Sequence, residues 1–281
     1  MTSRIPLEPI ALTHLFRELD FLCMNCLQAL TRDDWNRPTV AKEWTIKDVT
    51  AHLLDGNIRS VSMLGDHYYG VTAPSDPAYR EMVRFLDDLN ASWVKAFKRV
   101  SPDMLIHLHR VTGPLYCDLM ERMDPEAPAA FQVEWAGTGP QKNWLHIARE
   151  YTEKWIHQQQ IRHAMGDSTL YQRQWYYPCL HTLVRGIPHA CRNLSANSQE
   201  CLQITISGEG GGDWYMVYDT SGWMLVSDFI GDPDARIIIP GQLAWQLFSK
   251  TQRPEDHLSE IAIQGKKLLA MTALQTISVM A

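Results

Sequence analysis

The sequence predicts a chain of the α + (α+β) class, in which a helical domain is followed by a smaller domain of helices and strands. In the first half, apolar residues recur at steps of three and four residues over long segments, which is typical of amphipathic helices. Beyond position 170, short segments alternate apolar and polar residues and are separated by glycine-containing turns. We therefore expect an up-down four-helix bundle over residues 1–170 and a small α+β domain over residues 171–281.

Four long segments carry the helical period. They cover residues 12–30, 45–65, 82–100 and 142–165. The second opens on Thr45 and Asp48, which have the spacing of a capping box, and the fourth closes at Gly166, a residue type that favours helix ends. Between the third and fourth segments we expect a longer connection with one or two short helices. Four helices joined in this way can build a ligand site in the core from side chains on facing helices.

The smaller domain is predicted to begin with one helix over residues 174–194, which Pro188 must end or kink. Five strands and two further helices follow. The strands cover residues 201–207, 214–219, 223–229, 235–240 and 260–265, and the helices cover residues 242–250 and 266–280. Turn residues between successive strands predict a meander sheet.

The composition argues against several classes of function. A net charge of −6 and a pI near 6.0 do not suit a surface for nucleic acid or anionic membranes. The sequence contains no run of about 18 apolar residues, so no transmembrane helix is predicted. The N-terminus lacks the basic head and apolar block of a signal peptide, so a cytoplasmic location is expected. The six scattered cysteines favour reduced thiols, and Cys23 and Cys26 lie on the apolar stripe of the first helix.

The fourth helical segment carries an unusual row of polar side chains. At about 100° per residue, His146, Glu150, Glu153 and His157 fall within a narrow arc on one face. By itself such a row fits either a solvated face or a metal site. His52 lies on or beside the apolar stripe of the second segment, and a bundle that turned it toward Glu153 and His157 would assemble two imidazoles and one carboxylate. That is the ligand set of a catalytic zinc site with an open fourth position, although nickel, iron and manganese accept similar ligands.

Two stretches of the sequence resemble a known family. WTIKDVTAHLLDGNIRSVS, preceded by DDWNRPT, is similar to the N-terminal domain of the mycothiol-dependent maleylpyruvate isomerase family, which belongs to the DinB-like metal-binding four-helix bundles. AREYTEKWIHQQQIRHA resembles the second signature of that family, and WMLVSDFIGDPDARIIIPGQLAWQLF resembles its sterol-carrier-like C-terminal domain. The resemblance places the motif histidine of the second helix on His52, and the carboxylate and histidine of the fourth helix on Glu153 and His157.

The resemblance implies a divalent metal, most often zinc, that binds a low-molecular-weight thiol such as mycothiol. Because a free thiol has a pKa of about 8.5, it needs such activation to be nucleophilic at neutral pH. Addition of the thiolate to a conjugated double bond, rotation and expulsion would give an isomerase, and loss of a leaving group would give an S-transferase. The expected partners are therefore the thiol and an electrophilic small molecule, with no nucleic acid and no membrane, and the oligomeric state is open.

Other residues complete the expected site. Glu150 and His146 are expected either to support the metal ligands or to act as general acid and base. Arg59 is a candidate for binding a carboxylate of the substrate or the thiol, and Arg236 is a candidate for closing the site from the second domain. Two alternatives stay open: a metal-dependent hydrolase with Glu150 as its base, and a non-catalytic protein that binds a metal or a small ligand. The sequence contains no Walker loop, no H-E-x-x-H and no G-x-S-x-G motif.

Overall fold

The computed structural model describes residues 5–75, 79–131 and 140–278. By their internal contacts these residues form two compact units. The helical unit consists of Thr13–Met123 and His157–Asp167, and the sheet unit consists of the remaining described residues. One long helix contributes residues to both units. The predicted division into domains at residue 170 stays a prediction.

Among the described residues, five long helices lie in the part of the chain where four were expected. They are α1 (Phe16–Ala29), α2 (Ile46–Ser60), α3 (Tyr79–Phe97), α4 (Pro102–Arg122) and α5 (Asn143–Met165). Within the helical unit, α2 packs on α3 and α4, and α1 packs on α4. Their apolar stripes meet in a core that includes Leu27, Ile46, Leu54, Leu105 and the α5 residue Ile161. The helical class of this region is confirmed, and the exact up-down four-helix arrangement stays a prediction.

The sequence predicted where α2 begins and where α5 ends, and the structure has both features. Thr45 and Asp48 form the capping box, in which the Asp48 carboxylate accepts a hydrogen bond from the Thr45 backbone N–H at 3.0 Å. At its other end α2 continues into a single π-helical turn, Val61–Gly65. Gly166 follows α5 with a φ of +70°, the left-handed conformation that closes a helix without steric cost only at glycine.

The helix α4 corrects one expectation. The sequence predicted one or two short helices between the third and fourth segments, and the structure instead has 21 residues of continuous helix. Pro114 lies inside this helix. Gly113 has a packing role, because a Cβ atom there would lie 2.5 Å from a carboxylate oxygen of Asp20 on α1. The close approach of α1 thus accounts for the glycine without a chain break.

The sheet unit contains a five-stranded sheet. Its strands are β1 (Cys201–Ile206), β2 (Gly212–Asp219), β3 (Gly222–Val226), β4 (Ala235–Ile239) and β5 (Ala262–Gly265), in the order β3-β2-β1-β4-β5. The first three strands form the predicted meander. The fourth does not continue it, because β4 pairs in parallel with the far side of β1. The outer edge of β3 is instead hydrogen-bonded by the N-terminal segment, from Leu7 N–H to the Leu225 carbonyl and from Ser227 N–H to the Ile5 carbonyl.

Four shorter helices complete the sheet unit: α6 (Arg173–Leu183), α7 (Ile187–Cys191), α8 (Gly241–Phe248) and α9 (Lys267–Leu274). The predicted interruption at Pro188 is confirmed, since a 3₁₀ turn separates α6 from α7 and Pro188 lies in the first turn of α7. The final helix is shorter than predicted, and residues 279–280 of that prediction lie outside the described residues. No helix in the described ranges is both long enough and apolar enough to span a bilayer.

Candidate metal centre

Three side chains from α2 and α5 converge on one point. One ligand atom each from His52, Glu153 and His157 lie within 4.8 Å of one another. The two imidazole rings meet edge to face, with centroids 4.5 Å apart and an interplanar angle of 75°. His157 is buried, and His52 and Glu153 are half-buried. The three residues that were predicted to converge therefore lie close together in the structure.

Local structure explains how the three side chains meet. Glu153 and His157 lie four residues apart on the continuous helix α5, so their side chains stand one above the other on the same face. His52 is placed by α2, whose buried positions Val49 and Leu53 belong to the same core as Ile161 of α5. Burial of these apolar residues in one core brings α2 and α5 together near the two imidazoles.

An aromatic residue borders the two histidines. The ring of Trp44, which directly precedes the capping box of α2, lies 4.9 Å from the ring of His52 and 6.4 Å from the ring of His157. Trp44 also packs against the core of the helical unit. The indole therefore lies beside the imidazole pair, nearer to His52 than to His157.

The Nδ1 atom of His157 is 2.9 Å from the Oε1 atom of Gln160. An amide oxygen only accepts hydrogen bonds, so in this arrangement Nδ1 carries a proton, and in the neutral ring the lone pair is on Nε2. A neutral imidazole is the form that binds a metal, through the ring nitrogen that carries no proton. Together with a second imidazole and a carboxylate, the donor set fits a divalent cation and leaves a position open for a further ligand.

Two further residues of the predicted row lie on the same helix. His146 is 3% exposed, and neither of its ring nitrogens has a hydrogen-bond partner among the residues that the structure describes. Burial lowers the pKa of the His146 imidazole more than the nearby Glu150 carboxylate raises it, so the ring is neutral at neutral pH. Glu150 is half-buried, one helical turn along α5 from His146. The structure thus offers a neutral imidazole and a carboxylate on the helix that carries two of the candidate ligands.

The two candidate arginines lie in different parts of the chain. Arg59 is in the last turn of α2, seven residues after His52 and hence on the same side of that helix. Its guanidinium is 3.6 Å from the carboxylate of Asp55. Arg236 is on β4, where its guanidinium contacts Asp232 at 3.0 Å and the amide oxygen of Gln203 at 3.2 Å.

Two neighbours of the histidines, Trp44 and Gln160, were not predicted from the sequence. A signal for Gln160 existed, because side chains three residues apart on a helix are neighbours and Gln160 follows His157 by three. Trp44 had no comparable signal. Its contact with two rings from separate helices depends on how the chain enters α2.

Solved structures resemble this chain over most of its length. The crystal structure of the mycothiol-dependent maleylpyruvate isomerase is 12% identical and covers 90% of this chain and 91% of its own, with a TM-score of 0.52. A histidine-to-alanine mutant of that enzyme gives 11% identity with the same coverage and TM-score. At this identity the likeness concerns the fold alone. A sterol carrier protein 2-like 2 from Aedes aegypti is 16% identical and covers 35% of this chain and 95% of its own, with a TM-score of 0.27, which supports no conclusion.

A comparison with curated protein sequences finds no match. A family profile does match, over residues 16–162, and it describes the mycothiol maleylpyruvate isomerase N-terminal domain. The matched segment is more than half of the 281 residues and includes all three candidate ligands. On that match, the chain belongs to the family of the mycothiol maleylpyruvate isomerase N-terminal domain.

Proposed function

We propose that this protein is a metal-dependent enzyme that activates a low-molecular-weight thiol for addition to an electrophilic small molecule. The observation that carries the proposal is the convergence of His52, Glu153 and His157 inside the segment that matches the family. Because the family is described by mycothiol and by an isomerisation, an isomerase or an S-transferase is the reaction class that fits. Zinc is the first metal to test, followed by nickel, iron and manganese, which accept the same donor types.

The proposed chemistry needs a nucleophilic sulfur at neutral pH. A bound divalent cation supplies the positive charge that makes a coordinated thiol a thiolate, whereas a free thiol with a pKa of about 8.5 stays mostly protonated. Within the chain, His52, Glu153 and His157 would hold the cation. Glu150 accepts the proton that the thiol loses. His146, which is neutral because it is buried, accepts a proton and returns it at the substrate.

The two reaction classes differ in the fate of the new carbon–sulfur bond. In an isomerisation, sulfur adds to one carbon of a conjugated double bond, the remaining single bond rotates, and the carbon–sulfur bond breaks to restore the double bond and the thiol. In a transfer, the leaving group departs with its electron pair and the thioether is the product. An electrophile that carries a carboxylate suits either course, because Arg59 is half-buried two helical turns from His52 and presents a guanidinium for bidentate binding.

The remaining parts of the proposal concern the second half of the chain. We assign residues 1–170 to the metal-binding DinB-like bundle and residues 171–281 to a sterol-carrier-like domain. Arg236 is assigned to substrate binding from that domain. In this role its guanidinium would release the Asp232 carboxylate and bind a carboxylate of the substrate or thiol instead. The cytoplasmic location stays a prediction from the sequence.

The decisive experiment measures turnover of the full chain with defined metal and thiol. Native mass spectrometry first reports metal and bound thiol. The metal-loaded protein is then assayed with an electrophilic conjugated acid in the presence and absence of mycothiol. Turnover that needs both metal and added thiol supports the proposal. Hydrolysis without thiol would make the protein a metal-dependent hydrolase, and ligand binding without turnover in the loaded protein would make it a binding protein.

A further inference from the structure

Three consecutive glutamines follow His157, and all three are almost completely buried. Gln158, Gln159 and Gln160 are each at most 1% exposed. Glutamine is mostly found at protein surfaces, so three buried copies in a row call for a specific reason. Their surroundings differ. Gln158 lies against the α1 backbone at Leu19 and against Arg162, and Gln160 is hydrogen-bonded to His157.

The Gln160 contact determines which nitrogen of His157 is available. With Oε1 accepting from Nδ1 at 2.9 Å, the neutral ring has its proton on Nδ1 and its lone pair on Nε2. In the other tautomer Nε2 would carry the hydrogen, and the ring would present no lone pair through that atom. The same bond also restrains rotation of the ring, since both partners are buried and a broken bond would leave two polar groups without water.

We propose that Gln160 is the positioning residue of the metal centre, which holds His157 in the Nδ1–H tautomer and aims its Nε2 atom at the cation. The inference rests on the proposed function and adds to it a residue outside the ligand set. A hydrogen bond from the second nitrogen of a ligand histidine orients the ring and raises its basicity. Gln160 provides this bond from within α5, three residues along the same helix.

Because Gln160 is an amide and not a carboxylate, it adds no negative charge to the metal centre. With Gln160 neutral, the three ligands contribute one negative charge, that of Glu153, and the imidazoles contribute none. A divalent cation in this centre would therefore keep a net positive charge, which favours the anionic form of a thiol. A carboxylate at position 160 would accept the same hydrogen bond but would remove that positive charge.

Two substitutions separate positioning from packing. Gln160→Met keeps the length of the side chain and removes the acceptor, whereas Gln160→Glu keeps the acceptor. Gln159→Met is the matched control. Gln159 is equally buried on the same helix, but its amide atoms have no hydrogen-bond partner among the described residues. A general loss of packing would affect the two methionine variants alike.

The experiment measures affinity for Zn²⁺ and Co²⁺ in the full chain by competition with a chromophoric chelator. We expect Gln160→Met to weaken binding about 10- to 100-fold, the usual effect of removing such a partner. Gln160→Glu should bind at least as tightly as the natural protein, and Gln159→Met should be unchanged. Natural affinity in folded Gln160→Met, or equal losses in Gln160→Met and Gln159→Met, would overturn the proposal.

A second measurement reads the tautomer directly. Long-range ¹H–¹⁵N correlation spectra of the natural protein without metal should show His157 protonated at Nδ1, and His157→Gln assigns the signal. A ring protonated at Nε2 would overturn the proposal even where Gln160→Met fails to fold. This measurement also separates the two proposals. A chain that binds no metal but has the Nδ1–H tautomer contradicts the proposed function, whereas a metal-binding chain with the opposite tautomer contradicts the role of Gln160.

Discussion

The rings of His52 and His157 lie edge to face, 4.5 Å apart between centroids, although the two residues are on helices far apart in the chain. Their approach, with Glu153 one turn from His157, turns two separate helix faces into a single donor set. The arrangement needs α2 and α5 to be held at a fixed distance, which the shared core of the helical unit provides.

Substitution of His52, Glu153 or His157 by alanine should leave a folded protein that no longer holds its metal. Each change removes one of three donors, and a centre with two remaining donors binds a divalent cation far more weakly. Elemental analysis of the purified variants measures the loss, and circular dichroism confirms the fold. His163→Ala is the matched control, since His163 is an exposed residue on α5 outside the donor set. Full metal occupancy in any of the three variants would reject the centre.

Replacing Glu150 or His146 by glutamine should lower turnover and leave the metal in place. Neither side chain belongs to the three that converge, so metal content is the internal control. Loss of a general acid or base typically lowers the rate by about 100- to 10,000-fold. Steady-state kinetics with saturating thiol measures the effect on kcat. Unchanged kcat in both variants would assign the row to a structural role.

Removal of the α2 cap should destabilise the chain by a modest amount. The Thr45 side chain accepts a hydrogen bond from the Asp48 backbone N–H, and Thr45→Ala loses this bond at the start of the helix that carries His52. The expected fall in the free energy of unfolding is about 1 kcal/mol, measured by urea denaturation. Thr45→Ser keeps the hydroxyl and serves as the control. Equal stability of the alanine and serine variants would contradict a stabilising cap.

Acid should destabilise the sheet unit through His181. This imidazole accepts a hydrogen bond from Trp214 Nε1 and donates one from Nε2 to the Glu8 carbonyl, so it is neutral in the folded protein. Burial lowers its pKa from 6.5 to about 4. A lowered pKa means that the unfolded chain binds the proton more readily. The stability from a neutral His181 is therefore present above pH 6.5 and is lost as the pH falls from 6.5 toward 4.

The size of this effect follows from the shift. At about 1.4 kcal/mol for each pKa unit, the loss of unfolding free energy is on the order of 3 kcal/mol at most. Urea denaturation at pH 7 and at acid pH measures it in the natural chain and in His181→Gln, which cannot titrate. The glutamine variant should lose less stability on acidification. An identical loss in both proteins would show that other groups control the acid response.

The sequence predicted the parts of this protein that depend on neighbours along the chain. The capping box at Thr45, the closure at Gly166 and the break near Pro188 each involve a few adjacent residues, and all three are present. The alternation of apolar and polar residues likewise identified the five strands. The prediction of one or two short helices where α4 lies was wrong. The packing of Gly113 against α1 depends on residues from elsewhere in the chain.

The same distinction applies to the candidate centre. The four-residue spacing of Glu153 and His157 by itself determined that their side chains share one face of α5, because helix geometry is local. Only the tertiary structure brought His52 to them, and only the tertiary structure paired β4 with β1. Such placements arise from apolar burial and from strand edges that meet across long stretches of chain. Their energies depend on which surfaces fit together, and this information is absent from any short segment of the sequence.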